Sequence, residues 1–181
     1  MLSVHPPSGA ALRPALFAAA LFVSAALLFA VQPMAGKVLL PLAGGTPAVW
    51  NTCLVFFQAV LLLGYLYAHK LTAIPPRRQV VWHLTLVVGG VLVYFAFRPN
   101  PEWIPEDQDY PVFGLVAFLA VLVGAPFLVL SATAPVLQRW FAATGHAAGK
   151  DPYFLYAASN AGSLVGLLGY PFLIEPRFPL S

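Results

Sequence analysis

Charged positions along this chain are few, and they fence off long apolar runs. Uncharged stretches lie between Arg13 and Lys37, Lys37 and Lys70, Arg78 and Arg98, Asp109 and Arg139, and Asp151 and Glu175. Each is long enough for one membrane-spanning helix of about 20 residues, and too short for two helices and a turn. The pattern predicts an all-α, multi-pass membrane bundle with five spans, at about 14–34, 47–68, 80–97, 111–130 and 152–174, after a tail over 1–13. Thr46-Pro47 and Asp151-Pro152 each place a capping side chain before a proline at the first helical position. Pro14 and Pro111 suit the same first-turn role. Pro33 is expected to end or kink the first helix, leaving Met34–Pro41 irregular or interfacial. Gly124 and Pro126 should bend the fourth, which then needs protein neighbours to satisfy its backbone. Beyond it, Ser131 and Thr133 can bond back to carbonyls freed near Pro135, with Arg139-Trp140 anchoring a helix end in the interface.

Composition supports this class. The 181 residues are 60% hydrophobic and 8% charged, where a soluble domain carries about 25% charged residues. That excludes an ordinary soluble domain, a disordered tail and a nucleic-acid binder. The net charge of +3 reflects nine basic against six acidic residues with no clustered basic footprint. With the N-terminus inside, the inner loops hold Arg13, Lys70, Arg77, Arg78, Arg139 and Lys150, and the outer side holds Lys37, Arg98 and Arg177, six against three. The positive-inside rule therefore puts the N-terminus in the cytoplasm and the C-terminus of this chain outside. Glu102, Glu106, Asp107 and Asp109 fall in an outer loop. Trp50, Tyr67, Trp82, Trp103, Trp140 and Tyr153 lie near span ends, as an aromatic belt requires. The first apolar run is longer than a signal-peptide core and reads as a retained helix. Cys53, the single cysteine, excludes an internal disulfide and reads as a small buried residue.

Candidate chemistry is sparse. Ala158, Gly162 and Gly166 recur every four residues and form a small-residue stripe. This suits close helix packing within the bundle or, alternatively, a self-dimerisation face. Asn160, beside Ser159 and Ser163, needs a partner at its depth, either another helix or a substrate. Gln32 and Lys37 are the other polar residues in or near the spans. Lys37 either snorkels to the headgroups or faces a cavity, and the spans offer it no carboxylate. His5, His69, His83 and His146 lack ligand spacing, so no metal site is expected. No Gly-x-Gly-x-x-Gly, Walker loop or paired intramembrane carboxylates occur, so no catalytic residues and no cofactor are assigned. The basic loop His69–Arg78 has only a slight similarity to the loop after the second helix of major-facilitator transporters, and the charge rule accounts for Arg77 and Arg78.

Three groups of strings carry a broader likeness. They are Phe29–Lys37 leading to Gly44–Trp50; Phe56-Phe57-Gln58 with Gly64–His69; and Leu130–Pro135 through Gln138–Phe141, with Tyr156–Ser163. In this order they resemble the N-terminal membrane portion of the bacterial fused transporter-like (major facilitator-like)/spermidine-synthase proteins, over about Leu16 to Leu180. The resemblance implies an incomplete six-helix transporter half in the bacterial inner membrane. It implies a soluble transferase domain downstream in the same polypeptide, Rossmann-like and using decarboxylated S-adenosylmethionine and a polyamine. That domain's motifs are not in these residues, so its catalytic residues map to no position here. The chain reads as a fragment or an early-ended gene prediction. The expected partners are the lipid bilayer and that domain, together with a helix-mediated oligomer. The alternatives are a fragment of a solute transporter and a structural anchor.

Overall fold

The structure, a computed structural model, describes residues 9–104, 112–149 and 151–177. Most of the expected tail lies outside the described residues, as do Pro111, Glu106, Asp107, Asp109 and Lys150. The chain is an all-α bundle, and no strand occurs among the described residues. The helices are α1 (Gly9–Ala43), α2 (Pro47–Leu71), α3 (Pro76–Ala96), α4 (Val112–Leu119), α5 (Ala125–Ala143) and α6 (Tyr153–Gly169). A π-helical turn over Ala120–Gly124 joins α4 to α5 without a break, and another over Tyr170–Ile174 extends α6. Five helical segments are long and apolar enough to cross a membrane.

Two expected boundaries are corrected. Pro33 does not end the first helix: α1 runs for 35 residues with Pro14, Pro33 and Pro41 inside it. At 1.5 Å per residue it is about 52 Å long, well beyond a hydrocarbon core of about 30 Å. Gly44 ends it, with a positive φ of 71° that an L side chain rarely adopts. The fourth span does not stop at Leu130 and slide into the interface. It continues as one helical segment, Val112–Ala143. The irregularity expected at Gly124 and Pro126 takes the form of the π turn, whose wider hydrogen-bond register accommodates a local interruption of the ladder. Ser131 and Thr133 do bond back, to the carbonyls of Leu128 at 2.9 Å and Val129 at 2.7 Å. Neither is the carbonyl that Pro135 leaves free, which is that of Ser131 itself. At the helix starts, Thr46 Oγ1 accepts the Val49 N–H at 3.4 Å. Asp151 makes no such cap, because α6 opens behind Pro152 with no side-chain bond.

The fourth span is the hub. It packs against α1, α2 and α3, while α1 and α2 touch each other little. α6 packs almost wholly on α1. Phe127, at the middle of this hub, is fully buried and its ring lies 4.9 Å from that of Phe57. Cys53 is buried in the same cluster. A second cluster joins Leu21, Phe141 and Leu155, and a third joins Ala68, Leu71 and Val136. Large apolar side chains such as Leu62, Phe95 and Phe172 remain on the outside, as a lipid-facing surface requires.

Candidate functional site

Helices in lipid gain little from hiding leucines from one another, so close backbone approach decides which faces meet. The Ala158, Gly162, Gly166 stripe lies on α1. A β-carbon on Gly162 would strike the carbonyl oxygen of Phe22, and one on Gly166 that of Ala26. Ala158 is half-buried on the same side. With α1 seated there, the stripe has no free face for self-dimerisation. Gly64 meets Ser131 where α2 crosses α5, and Gly90 meets Val129 and the Ala125 carbonyl where α3 crosses it.

The three polar candidates do not converge. Gln32 is half-buried and Asn160 is exposed. Neither forms a hydrogen bond with a described residue. Asn160 is on the side of α6 away from α1, and nearby Ser163 bonds instead to the Ser159 carbonyl at 3.0 Å. Lys37 differs from the expectation that it has no carboxylate. Its Nζ donates to Glu175 Oε1 at 2.8 Å, in an ion pair with both side chains partly exposed. The continuation of α1 past Pro33 makes this pairing possible, since it holds Lys37 beside the end of the fifth span. The Tyr170 hydroxyl, one turn before Glu175, is buried without a hydrogen-bond partner among the described residues.

A second polar centre was not singled out by the sequence reading. Gln79 and His83, four residues apart and so on one face of α3, are both buried. Gln79 Nε2 donates to the Ile74 carbonyl at 2.8 Å, and its Oε1 accepts the Trp140 indole N–H at 2.9 Å. The His83 ring lies edge-on to Trp140, with centroids 5.7 Å apart, and stacks near Tyr67 at 6.1 Å. His83 Nε2 is 3.4 Å from Thr133 Oγ1. The Tyr67 hydroxyl and His83 Nδ1 are buried with no hydrogen-bond partner among the described residues. Thus α2, α3 and α5 bring Tyr67, Gln79, His83, Thr133 and Trp140 together. The sequence places Tyr67 and Trp140 near span ends, as belt residues, and gives His83 no ligand spacing. The available signal was the Gln79–His83 spacing in an otherwise apolar helix.

Among the described residues, no group of three His, Cys, Asp or Glu side chains is placed to hold a metal ion. Comparison with family models, with curated proteins and with solved structures finds no match for the chain.

The Lys37–Glu175 ion pair yields a quantitative expectation. Partly exposed pairs contribute about 0–1 kcal/mol. A double-mutant cycle on Lys37→Ala and Glu175→Ala, followed by unfolding in detergent, should therefore give a coupling of about 1 kcal/mol or less. A coupling of about 3 kcal/mol or more would mark a fully desolvated pair instead.

Proposed function

We propose that this chain is the membrane module of a fused transporter-like/spermidine-synthase-like protein, anchoring or serving a soluble transferase domain carried by the same polypeptide. One observation supports this reading above others: each group of strings that carries the resemblance holds a residue at a contact between helices. Phe29–Lys37 contains Gly36, on which the Trp50 ring lies, and Lys37, which pairs with Glu175. Leu130–Pro135 contains Ser131 against Gly64, and Thr133 beside His83. Tyr156–Ser163 contains Gly162, set on Phe22. Strings with a common packing role fit one inherited module better than a set of coincidences. The bacterial inner membrane, with the N-terminus in the cytoplasm, belongs to the same proposal and rests on the distribution of Lys and Arg.

The test is to read the native gene past the codon for Ser181 and to measure the intact mass of its product. The expected result is an open frame into further spans and a glycine-rich Rossmann-like domain. Membranes containing that product should transfer an aminopropyl group from decarboxylated S-adenosylmethionine to a polyamine. A stop directly after Ser181, with a product of 19.4 kDa, would overturn the proposal.

A second reading, a module that moves a small solute, is favoured by the Lys37–Glu175 pair beside the unpartnered Tyr170 hydroxyl. Charged groups along a span are a usual mark of a solute path. This reading expects Lys37→Ala to abolish uptake of some solute while the protein stays folded. Unchanged uptake across a broad solute panel would exclude it.

A further inference from the structure

The α2–α3 turn and the end of α5 form one corner of the bundle. Leu71 and Ile74 of the turn pack with Val136 and Trp140, and Gln79 ties the Ile74 carbonyl to the Trp140 indole. Four basic residues flank these contacts. Lys70 precedes Leu71, Arg77 and Arg78 precede Gln79, and Arg139 precedes Trp140. The buried bridge therefore gathers charges from three helices around one corner. All four side chains are exposed.

Nothing in the described protein neutralises them. The ion pair among the described residues is Lys37–Glu175, at the opposite end of the bundle, and none of the four has a carboxylate partner there. The sequence from Ala68 to Val80 holds no acidic residue. Asp151 is the acidic residue described at this end, and it precedes α6, which has no substantial contact with α2 or α3. Like charges gathered in one place repel one another. The positive-inside rule selects the side on which basic residues fall. It does not require that they surround one contact or stay unpaired.

A bilayer supplies the missing anion where the corner lies. Ends of spanning helices reach the polar headgroup layer, and long Lys and Arg side chains extend into it. Guanidinium groups match phosphate oxygens two at a time. A zwitterionic headgroup brings its own cation with each phosphate, whereas an anionic one leaves the phosphate charge free for the protein. We propose that the corner of Lys70, Arg77, Arg78 and Arg139 binds the phosphate headgroups of anionic phospholipids. The inference rests on the five long apolar segments crossing a membrane. It holds whichever side the corner faces, and with or without a transferase domain.

The experiment uses the full chain carrying Trp50→Phe and Trp103→Phe, so that Trp82 and Trp140 are the reporters. Trp82 is exposed and lies four residues after Arg78, on the same face of α3. The protein is reconstituted into vesicles of phosphatidylcholine and phosphatidylglycerol, with bromine on the acyl chains of one lipid or the other. Brominated chains quench nearby indoles, so the two quenching curves report which lipid stands at the corner. The expected result is a preference for phosphatidylglycerol of at least tenfold per mole. Each basic residue near an anionic surface contributes about fivefold in affinity. Arg78→Gln and Lys70→Gln should each lower the preference by about that factor, Arg78→Lys should retain most of it, and all four changes to Gln together should abolish it. Arg98→Gln with Arg177→Gln, at the opposite end, should leave it unchanged. Equal quenching by the two lipids would overturn the proposal, and so would a preference that survives the fourfold variant. An equal loss in the Arg98, Arg177 variant would overturn it too, since net charge and not the corner would then attract the lipid. Displacement by soluble glycerol phosphate would assign the corner to a free phosphate ester instead. The single Arg78→Gln and Arg78→Lys variants keep the test decisive should the fourfold variant fail to fold.

Discussion

Gly162→Ala or Gly166→Ala detaches α6 from α1, and each is expected to cost about 1–3 kcal/mol as an overpacked contact. The added methyl would overlap the backbone carbonyl of Phe22 or Ala26. Backbone cannot rotate aside as a flexible side chain can, so the whole helix must move. Because α6 has little contact with any other helix, separation from α1 leaves it almost without protein neighbours. The double variant should therefore lose the fifth span from the folded bundle, with a cost that need not equal the sum because the two sites share one interface. The measurement is unfolding of the purified protein in detergent, followed by circular dichroism. Gly169→Ala is the control, since a β-carbon there meets nothing within 4 Å. A Gly162→Ala protein as stable as the parent would refute this account of the α1–α6 contact.

Gln79→Leu is expected to be the second large loss. Gln79 joins the Ile74 carbonyl just ahead of α3 to the Trp140 indole on α5. Leucine fills the space and satisfies neither group. Each buried group left unpaired costs about 1–3 kcal/mol. The effect should also appear in the emission of Trp140, which changes when its indole N–H loses its acceptor. Gln58→Leu provides the comparison. Gln58 is exposed on α2 and makes no hydrogen bond among the described residues, so the same substitution there should be neutral or slightly favourable in lipid. Equal effects at the two positions would show that the Gln79 bridge contributes nothing specific.

Several features of the bundle were legible in particular residues. Thr46-Pro47 marks a helix start because a hydroxyl cap and a proline at the first helical position act within a few residues of each other. The Ala158, Gly162, Gly166 spacing marks a face on which backbones can meet. Elsewhere in the bundle, distant contacts outweigh a local rule. Pro33 and Pro135 break helices in water, but here each lies within a continuous helix. The ion pair went unseen because Lys37 and Glu175 are 138 residues apart in sequence, and only the uninterrupted α1 makes them neighbours. The His83 cluster is invisible to ligand spacing, a one-dimensional test, because its companions Tyr67, Thr133 and Trp140 come from two other helices.

Sequence alone thus determined the all-α character and the five segments long and apolar enough to cross a membrane, because a hydrocarbon layer imposes a length and a polarity on each segment independently of its neighbours. Which helices touch, where the prolines are absorbed, and which polar groups meet or remain bare were decided only in three dimensions. Those outcomes depend on backbone approach at Gly64, Gly90, Gly162 and Gly166 and on hydrogen bonds formed between helices. Periodicity along one strand of sequence contains neither.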